Sequence, residues 1–229
     1  MPRLVKRTIF CGALALAFAF GAGSATRHLR TFSVAYGPDA RQSFDVYAPL
    51  DAKGAPIIFM VHGGAWMIGD KSNRRTVENK VAHWVPKGFV VISANYRMLP
   101  EADPHEQARD VAHAVAAAQR EAPKWGADPD KLVLMGHSAG AHLVTLLPSS
   151  RDLRAAAKPA PWLGTVSLDT GTHDVVATME GPHLRLYDRA FGAERRAPDA
   201  AAARGDGGGG ANALGGRVAD RWRGPGRES

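Results

Sequence analysis

The sequence predicts an α/β fold in which a mostly parallel sheet is flanked by helices on both faces. Continuous β-branched and aromatic runs, typical of strands buried on both faces, alternate with stretches whose apolar residues have helical spacing. The 229 residues, of which 45% are hydrophobic, suffice for one domain with its own core.

Six strands are expected. The first two, 31–37 and 43–49, alternate apolar and polar residues, which predicts a half-exposed opening hairpin. The other four are apolar runs that predict buried strands: 55–64, 88–96, 131–136 and 162–169.

Helices are expected between these strands. Val77, Val81 and Trp84 recur at helical intervals, and a helix over 138–148 is predicted directly after the fifth strand. A longer helix is predicted within 104–126, where an N-terminal proline precedes four apolar residues on one face: Ala108, Val111, Val115 and Ala118.

Both ends of the chain differ in composition from residues 26–193, which we interpret as the folded domain. Residues 1–25 have a basic start, an apolar run and a small-residue ending. This pattern predicts a secretory signal, hence export to the periplasm or beyond, with no stable membrane insertion after cleavage; an uncleaved anchor is the alternative. Residues 194–229 are rich in Gly, Ala and Arg, which predicts a disordered or out-of-frame tail.

The net charge of +7 does not indicate a polyanionic partner. Arg3, Lys6 and Arg7 supply three of these charges and residues 194–229 supply two, so residues 26–193 carry only +2. The absence of a basic run with interleaved aromatic residues argues against nucleic-acid binding. No metal or organic cofactor is expected, and nothing in the sequence indicates a particular oligomeric state.

The stretch GHSAG, residues 136–140, has the pattern Gly-x-Ser-x-Gly between a predicted strand and a predicted helix. Gly136 and Gly140 permit a sharp turn that exposes Ser138 above the sheet. The start of the helix directs backbone N–H groups toward an anion formed there. Ser138 is therefore the candidate nucleophile; the alternative is a chance pentapeptide.

A second glycine-rich turn, VHGGAW, follows the third strand at residues 61–66. The N–H groups of Gly63 and Gly64, together with that of Ala139, could hold a carbonyl oxygen as it becomes an oxyanion. These three residues are the candidate oxyanion hole. The alternative for the glycine pair is a plain turn at the end of a strand.

In combination, these motifs resemble a known family. The order HGG-x-W, then ANYRMLPEADP, then GHSAGAH is similar to that of the α/β-hydrolase esterases and lipases of the hormone-sensitive-lipase and acetyl-esterase type. The resemblance covers about residues 30–193, and it implies that Ser138 accepts the acyl group. It also implies an oxyanion hole at the three residues named above. The sequence departs from the family at Ala65, where many members have a third glycine and where an alanine could reshape the hole.

Nearby residues have less specific interpretations. His62 is expected to be structural, because it precedes the hole. Trp66 either lines the acyl pocket or packs in the core. His142 lies one helical turn after the serine and is an alternative base. Asp110 and His113 fall in the middle of a predicted helix, where they are either solvated or structural.

The partners of the serine are harder to find. In this family an acid follows the seventh strand and a histidine the eighth. Here strands are predicted only as far as Asp169, and His183 is the last histidine. We therefore expect the last strands, the acid and the histidine to be missing, with the chain truncated or frameshifted after about residue 193. The alternative is a substitute pair, in which Asp169 or Asp174 works with His173 or His183.

The sequence thus predicts an incomplete α/β-hydrolase-type domain from a serine hydrolase of short-chain carboxylic esters. Such an enzyme acts on a small-molecule ester through an acyl-enzyme. Its activity is expected to be weak or lost because the base is missing. The alternatives are a non-catalytic binding domain, an inactive fragment, or an enzyme for amides.

Overall fold

The computed structural model describes residues 29–169 and 173–192. The predicted signal segment 1–25 and the predicted tail 194–229 both lie outside the described residues.

The six predicted strands form one mixed sheet with the order β1-β2-β4-β3-β5-β6. The two antiparallel pairs are β1 with β2 and β2 with β4, and the remaining neighbours are parallel. The strands are β1 (Leu29–Ala35), β2 (Ser43–Pro49), β3 (Ala55–Val61), β4 (Val90–Ala94), β5 (Ala127–His137) and β6 (Gly164–Leu168).

The three predicted helices are present, and they are joined by shorter ones that the sequence analysis did not predict. The predicted helices are α1 (Arg74–Trp84), α2 (Pro104–Glu121) and α3 (Ala139–Ser149). The further helical elements are α4 (Arg151–Ala157), α5 (Val175–Glu180), the helical segment 185–192, and 3₁₀ turns at Val85–Lys87 and Ala122–Trp125.

The core lies between the sheet and the helices. All of β4 and nearly all of β3 are buried, as continuous apolar strands in a covered sheet should be. The predicted inner face of α2 is fully buried. This helix begins with a reciprocal cap, in which Asp103 accepts from the Glu106 N–H and the Glu106 carboxylate accepts from the Asp103 N–H.

The strand β6 lies at one edge of the sheet. Within residues 29–169 and 173–192 it pairs only with β5, and Leu168 at its end is exposed. Leu163, just before the strand, is 68% exposed, whereas the central strands bury nearly all their side chains.

An ion pair with a buried acid joins the loop after β4 to α2. The Asp110 carboxylate accepts hydrogen bonds from the Arg97 side chain at 2.8 Å and from the Arg97 backbone N–H at 3.0 Å. Gln42 donates to the same carboxylate over 2.8 Å. These bonds raise the pKa of the Arg97 guanidinium. Of the two interpretations open for Asp110, the structure supports the structural one.

The helices in the described part of the chain include none with the length and apolar character needed to span a bilayer.

Candidate active site

Ser138 occupies the tight turn between β5 and α3. Its backbone has φ 53° and ψ −120°, a conformation that side-chain-bearing residues rarely adopt. Its N–H donates to the carbonyl oxygen of Leu168 over 2.8 Å, which ties the turn to the end of β6. The serine therefore stands at the carboxyl end of the parallel strands, where open α/β sheets bind ligands.

The two glycines of GHSAG allow close backbone approach on both sides of the serine. A Cβ on Gly136 would overlap the carbonyl oxygen of Gly140. A Cβ on Gly140 would overlap the carbonyl oxygens of Val61 and His62 at the end of β3. The turn is thus packed directly on the start of the next loop, here called the 62–69 loop.

Within the 62–69 loop, Gly63 lies against the serine. A Cβ built on Gly63 would be 2.9 Å from the Ser138 Cβ and 2.7 Å from the His137 carbonyl oxygen. Gly64 has φ 129°, and its carbonyl oxygen accepts from the N–H groups of Met67 and Ile68, each over 3.0 Å. The predicted nucleophile and Gly63, the first glycine of the predicted pair, are therefore brought together.

The next two residues of this loop have left-handed backbones. Ala65 has φ 53° and Trp66 has φ 61°. A glycine at position 65 would adopt this conformation without penalty, whereas alanine is strained there. The loop is held by bonds to the Trp66 carbonyl oxygen, from the Leu99 N–H at 2.9 Å and from the Gln107 side chain at 3.0 Å.

Trp66 packs in the core beneath the helical segment 185–192. Its side chain is only 3% exposed, and its ring centroid lies 4.9 Å from that of Phe191 and 5.6 Å from that of Tyr187. The His142 ring meets it edge-on at 5.6 Å. Trp66 therefore links the 62–69 loop to α3 and to the helical segment.

His62 stacks on a tyrosine. Its ring lies 4.6 Å from the Tyr96 ring, and its Nδ1 is 2.8 Å from the Gly63 carbonyl oxygen. Burial lowers the pKa of His62, which favours the neutral ring. This position suits a residue that supports the loop.

His142 is a poor candidate for the base. Its side chain is 2% exposed, and burial, followed by the charge of His173, lowers the pKa of His142 to about 3. A ring with such a low pKa takes up a proton poorly at neutral pH, where a general base works best with a pKa near the ambient value.

Two residues of the alternative triad, Asp169 and His183, make other pairs. His137 Nε2 lies 3.7 Å from Asp169 Oδ2, with both side chains at least half exposed. His183 Nε2 lies 3.0 Å from Asp188 Oδ1, and its Nδ1 is 2.7 Å from the Gly181 carbonyl oxygen. Asp188 was not among the residues considered from the sequence. Its pairing with His183 depends on the turn that precedes the helical segment, which the sequence did not indicate.

Asp174, the other candidate acid, caps α5 by accepting the Ala177 N–H over 3.0 Å. Across the ranges that the structure describes, no hydrogen bond joins a histidine to the Ser138 hydroxyl, and no group of three or more His, Cys, Asp or Glu side chains could hold a metal ion.

The mixed sheet with a strained serine between β5 and α3 gives this chain the α/β-hydrolase fold. The sequence profile of the BD-FAE family matches residues 44–175, more than half of the 229 residues. The chain belongs to the BD-FAE family.

Individual relatives carry esterase names. The chain is 33% identical over 112 residues to the probable isoprenylcysteine alpha-carbonyl methylesterase ICMEL1 of Oryza sativa subsp. japonica, covering 48% of this chain and 26% of that protein. It is 31% identical over 163 residues to esterase LipQ of Mycobacterium tuberculosis, covering 69% of this chain and 36% of that protein. The chain thus spans well under half the length of these curated relatives.

Among solved structures, esterase B from Lactobacillus rhamnosis matches with a TM-score of 0.56 and 22% identity. The match covers 76% of this chain and 60% of that one. At this identity the likeness shows the fold alone, and it confirms the predicted α/β-hydrolase-type sheet flanked by helices.

Proposed function

We propose that this chain carries the nucleophile and oxyanion hole of a serine esterase for short-chain carboxylic esters. The observation that carries the proposal is the backbone of Ser138, whose φ of 53° lifts its side chain out of the turn between β5 and α3. Strain of this kind is retained mainly where a function needs it. The family membership of the chain supports the reaction class.

In the proposed reaction, Ser138 Oγ attacks the ester carbonyl carbon as the hydroxyl proton leaves to a base. The oxyanion is held by the N–H groups of Gly63, Gly64 and Ala139, the last at the first position of α3, where the helix dipole favours negative charge. The bond to the alcohol oxygen then breaks, and the alcohol leaves with a proton. Water hydrolyses the acyl-enzyme, releasing the acid and restoring the serine.

We propose further that this reaction is slow in this chain. Both ring nitrogens of His183 are engaged, by Gly181 and Asp188, and His142 is a weak base, so neither of these two histidines is a good proton acceptor for Ser138. An oxyanion hole and binding site without a working triad retain about 10³-fold catalysis over water.

The test is hydrolysis of p-nitrophenyl acetate by the full chain and by Ser138→Ala. The expected result is slow hydrolysis that disappears in the variant, with no release from the corresponding p-nitroanilide. Equal rates for both proteins would remove Ser138 as nucleophile, and rapid p-nitroanilide cleavage would favour an amidase.

A non-catalytic binding domain is the second candidate. It is favoured by the placement of His183, whose two ring nitrogens contact Gly181 and Asp188. It predicts that esters bind without any turnover that depends on Ser138.

We also propose export of the mature chain. The support is the basic and apolar pattern of residues 1–25. Expression of the full gene in a bacterial host, followed by fractionation and N-terminal sequencing, should give a periplasmic or secreted protein that starts after Ala25. An uncut protein in the membrane fraction would support the anchor instead.

A further inference from the structure

A cavity of about 350 Å³ lies between the 62–69 loop and the helical segment 185–192. Met67 forms one wall, and it belongs to the same turn as Gly64, whose carbonyl oxygen accepts the Met67 N–H. The loop that carries the proposed oxyanion hole therefore also forms one side of the cavity. The other lining residues are Arg185, Leu186, Asp188 and Arg189.

Aromatic packing fixes the two sides of the cavity, the 62–69 loop and the helical segment 185–192, relative to each other. Trp66, adjacent to Met67, contacts Tyr187 and Phe191 of the helical segment, and Phe191 is 5% exposed. The arginines lie on the same segment but are exposed. The inner side of the segment is thus anchored in the core, and its charged side faces the cavity and solvent.

The lining is positively charged overall. Arg185 and Arg189 are one helical turn apart, so their guanidinium groups can approach one ligand together. Among the described lining residues the one acid is Asp188, which is paired with His183. In the two described ranges, neither arginine has an ion-pair partner. Two such guanidinium groups are suited to binding a carboxylate, because their N–H groups can form charge-assisted hydrogen bonds to its oxygens.

Apolar groups accompany the charge. Met67 and Leu186 line the cavity itself. Their neighbours in sequence, Ile68 and Leu184, are 69% and 66% exposed. A ligand with a short aliphatic chain ending in a carboxylate would match this combination.

We propose that this cavity binds a carboxylate on the ester substrate, so that the preferred substrates are half-esters of short dicarboxylic acids. The carboxylate pairs with Arg185 and Arg189, the aliphatic chain lies along Met67 and Leu186, and the ester group reaches Ser138. This inference rests on the proposed function for its ester end, whereas carboxylate binding itself needs no catalysis.

The experiment measures binding of monomethyl glutarate and of dimethyl glutarate to the full-length Ser138→Ala protein, by saturation-transfer NMR titration at low salt. We expect the half-ester to bind about fivefold or more tightly than the neutral diester, because two exposed charge pairs each contribute modestly. Added salt should reduce this preference.

Variants locate the site. Arg185→Gln/Arg189→Gln should bring the preference to within about twofold, whereas the matched control Arg151→Gln, on α4, should keep it. Asp188→Asn removes the acid from the cavity and should strengthen half-ester binding. Equal binding of the two esters, absence of half-ester binding, or a preference that survives the double variant would overturn the proposal.

The outcome is separable from that of the proposed function. Carboxylate binding that is lost in the double variant, together with ester hydrolysis that does not depend on Ser138, would keep the cavity assignment and reject the esterase. Ester hydrolysis that depends on Ser138, without a preference for the carboxylate, would keep the esterase and reject the cavity assignment.

Discussion

Gly140 packs directly on the backbone of His62, so closely that a Cβ on the glycine would lie 2.9 Å from the His62 carbonyl carbon and would overlap its oxygen. This contact joins the turn that carries Ser138 to the loop that carries Gly63. The geometry of the candidate site therefore depends on the absence of one side chain.

The substitution Gly140→Ala should lower the free energy of unfolding by about 2–4 kcal/mol, because the added methyl meets backbone that cannot move aside. Urea denaturation measures the change. The matched control is Gly164→Ala, since a Cβ at Gly164 meets no atom within 4 Å. Equal effects of the two substitutions would show that the close contact is not rigid.

Ser138→Gly should stabilise the protein by about 1–2 kcal/mol, because glycine adopts φ 53° and ψ −120° without steric cost. Ser138→Ala removes the same hydroxyl but retains the strain, so its free energy of unfolding should stay near that of the parent. Thermal and urea denaturation of the three proteins give the comparison. A glycine variant less stable than the alanine variant would mean that the turn is not strained.

Removal of the Asp110 carboxylate should be costly. Its side chain is 1% exposed and accepts bonds from the buried Gln42 and from Arg97, whose side chain is 32% exposed and can turn to water. Asp110→Ala should therefore cost about 1–3 kcal/mol, mainly by leaving Gln42 without its acceptor. The exposed pair of Arg74 and Glu78 serves as the control, because Glu78→Ala should change stability by less than about 1 kcal/mol.

The buried ring of His142 should make stability fall in acid. Its pKa is about 3 in the folded chain and near 6.5 when exposed, so below pH 6.5 the unfolded state binds a proton that the folded state does not. Stability is then lost as the pH falls from about 6.5 toward 3, by up to about 1.4 kcal/mol per pH unit.

His142→Gln should reduce this slope, whereas replacement of the exposed His113 by glutamine should leave it unchanged. The measurement is urea denaturation at several pH values between 7 and 4. Burial also lowers the pKa of His62, so part of the slope should persist in the His142 variant. An unchanged slope would mean that His142 is protonated in the folded protein.

Local patterns were enough to predict the sheet and the turn at Ser138. Apolar and polar alternation located the first two strands and apolar runs the other four, and the strand, glycine, serine and helix order located the elbow. The helices α4 and α5 were missed because seven and six residues are too few to show a helical period. Their caps, Ser150 and Asp174, were the available signal.

The contacts that decide what the site can do were not predictable in this way. The left-handed backbones of Ala65 and Trp66 could not be predicted, because in a sequence only glycine commonly signals this conformation. The pairing of His183 with Asp188, and the packing of Trp66 on the helical segment 185–192, depend on tertiary placement. Sequence spacing therefore identified the nucleophile as a candidate but not the environment of the histidines.

Reaction of the full chain with an ethyl p-nitrophenyl phosphonate, followed by intact mass and peptide mapping, shows directly whether Ser138 is a nucleophile. An activated serine forms a stable phosphonyl adduct, and a bound but unreactive pocket does not. We expect slow formation of one adduct, on the peptide containing Ser138, and none in Ser138→Ala. An unmodified protein, or an adduct on any other residue, would contradict this expectation.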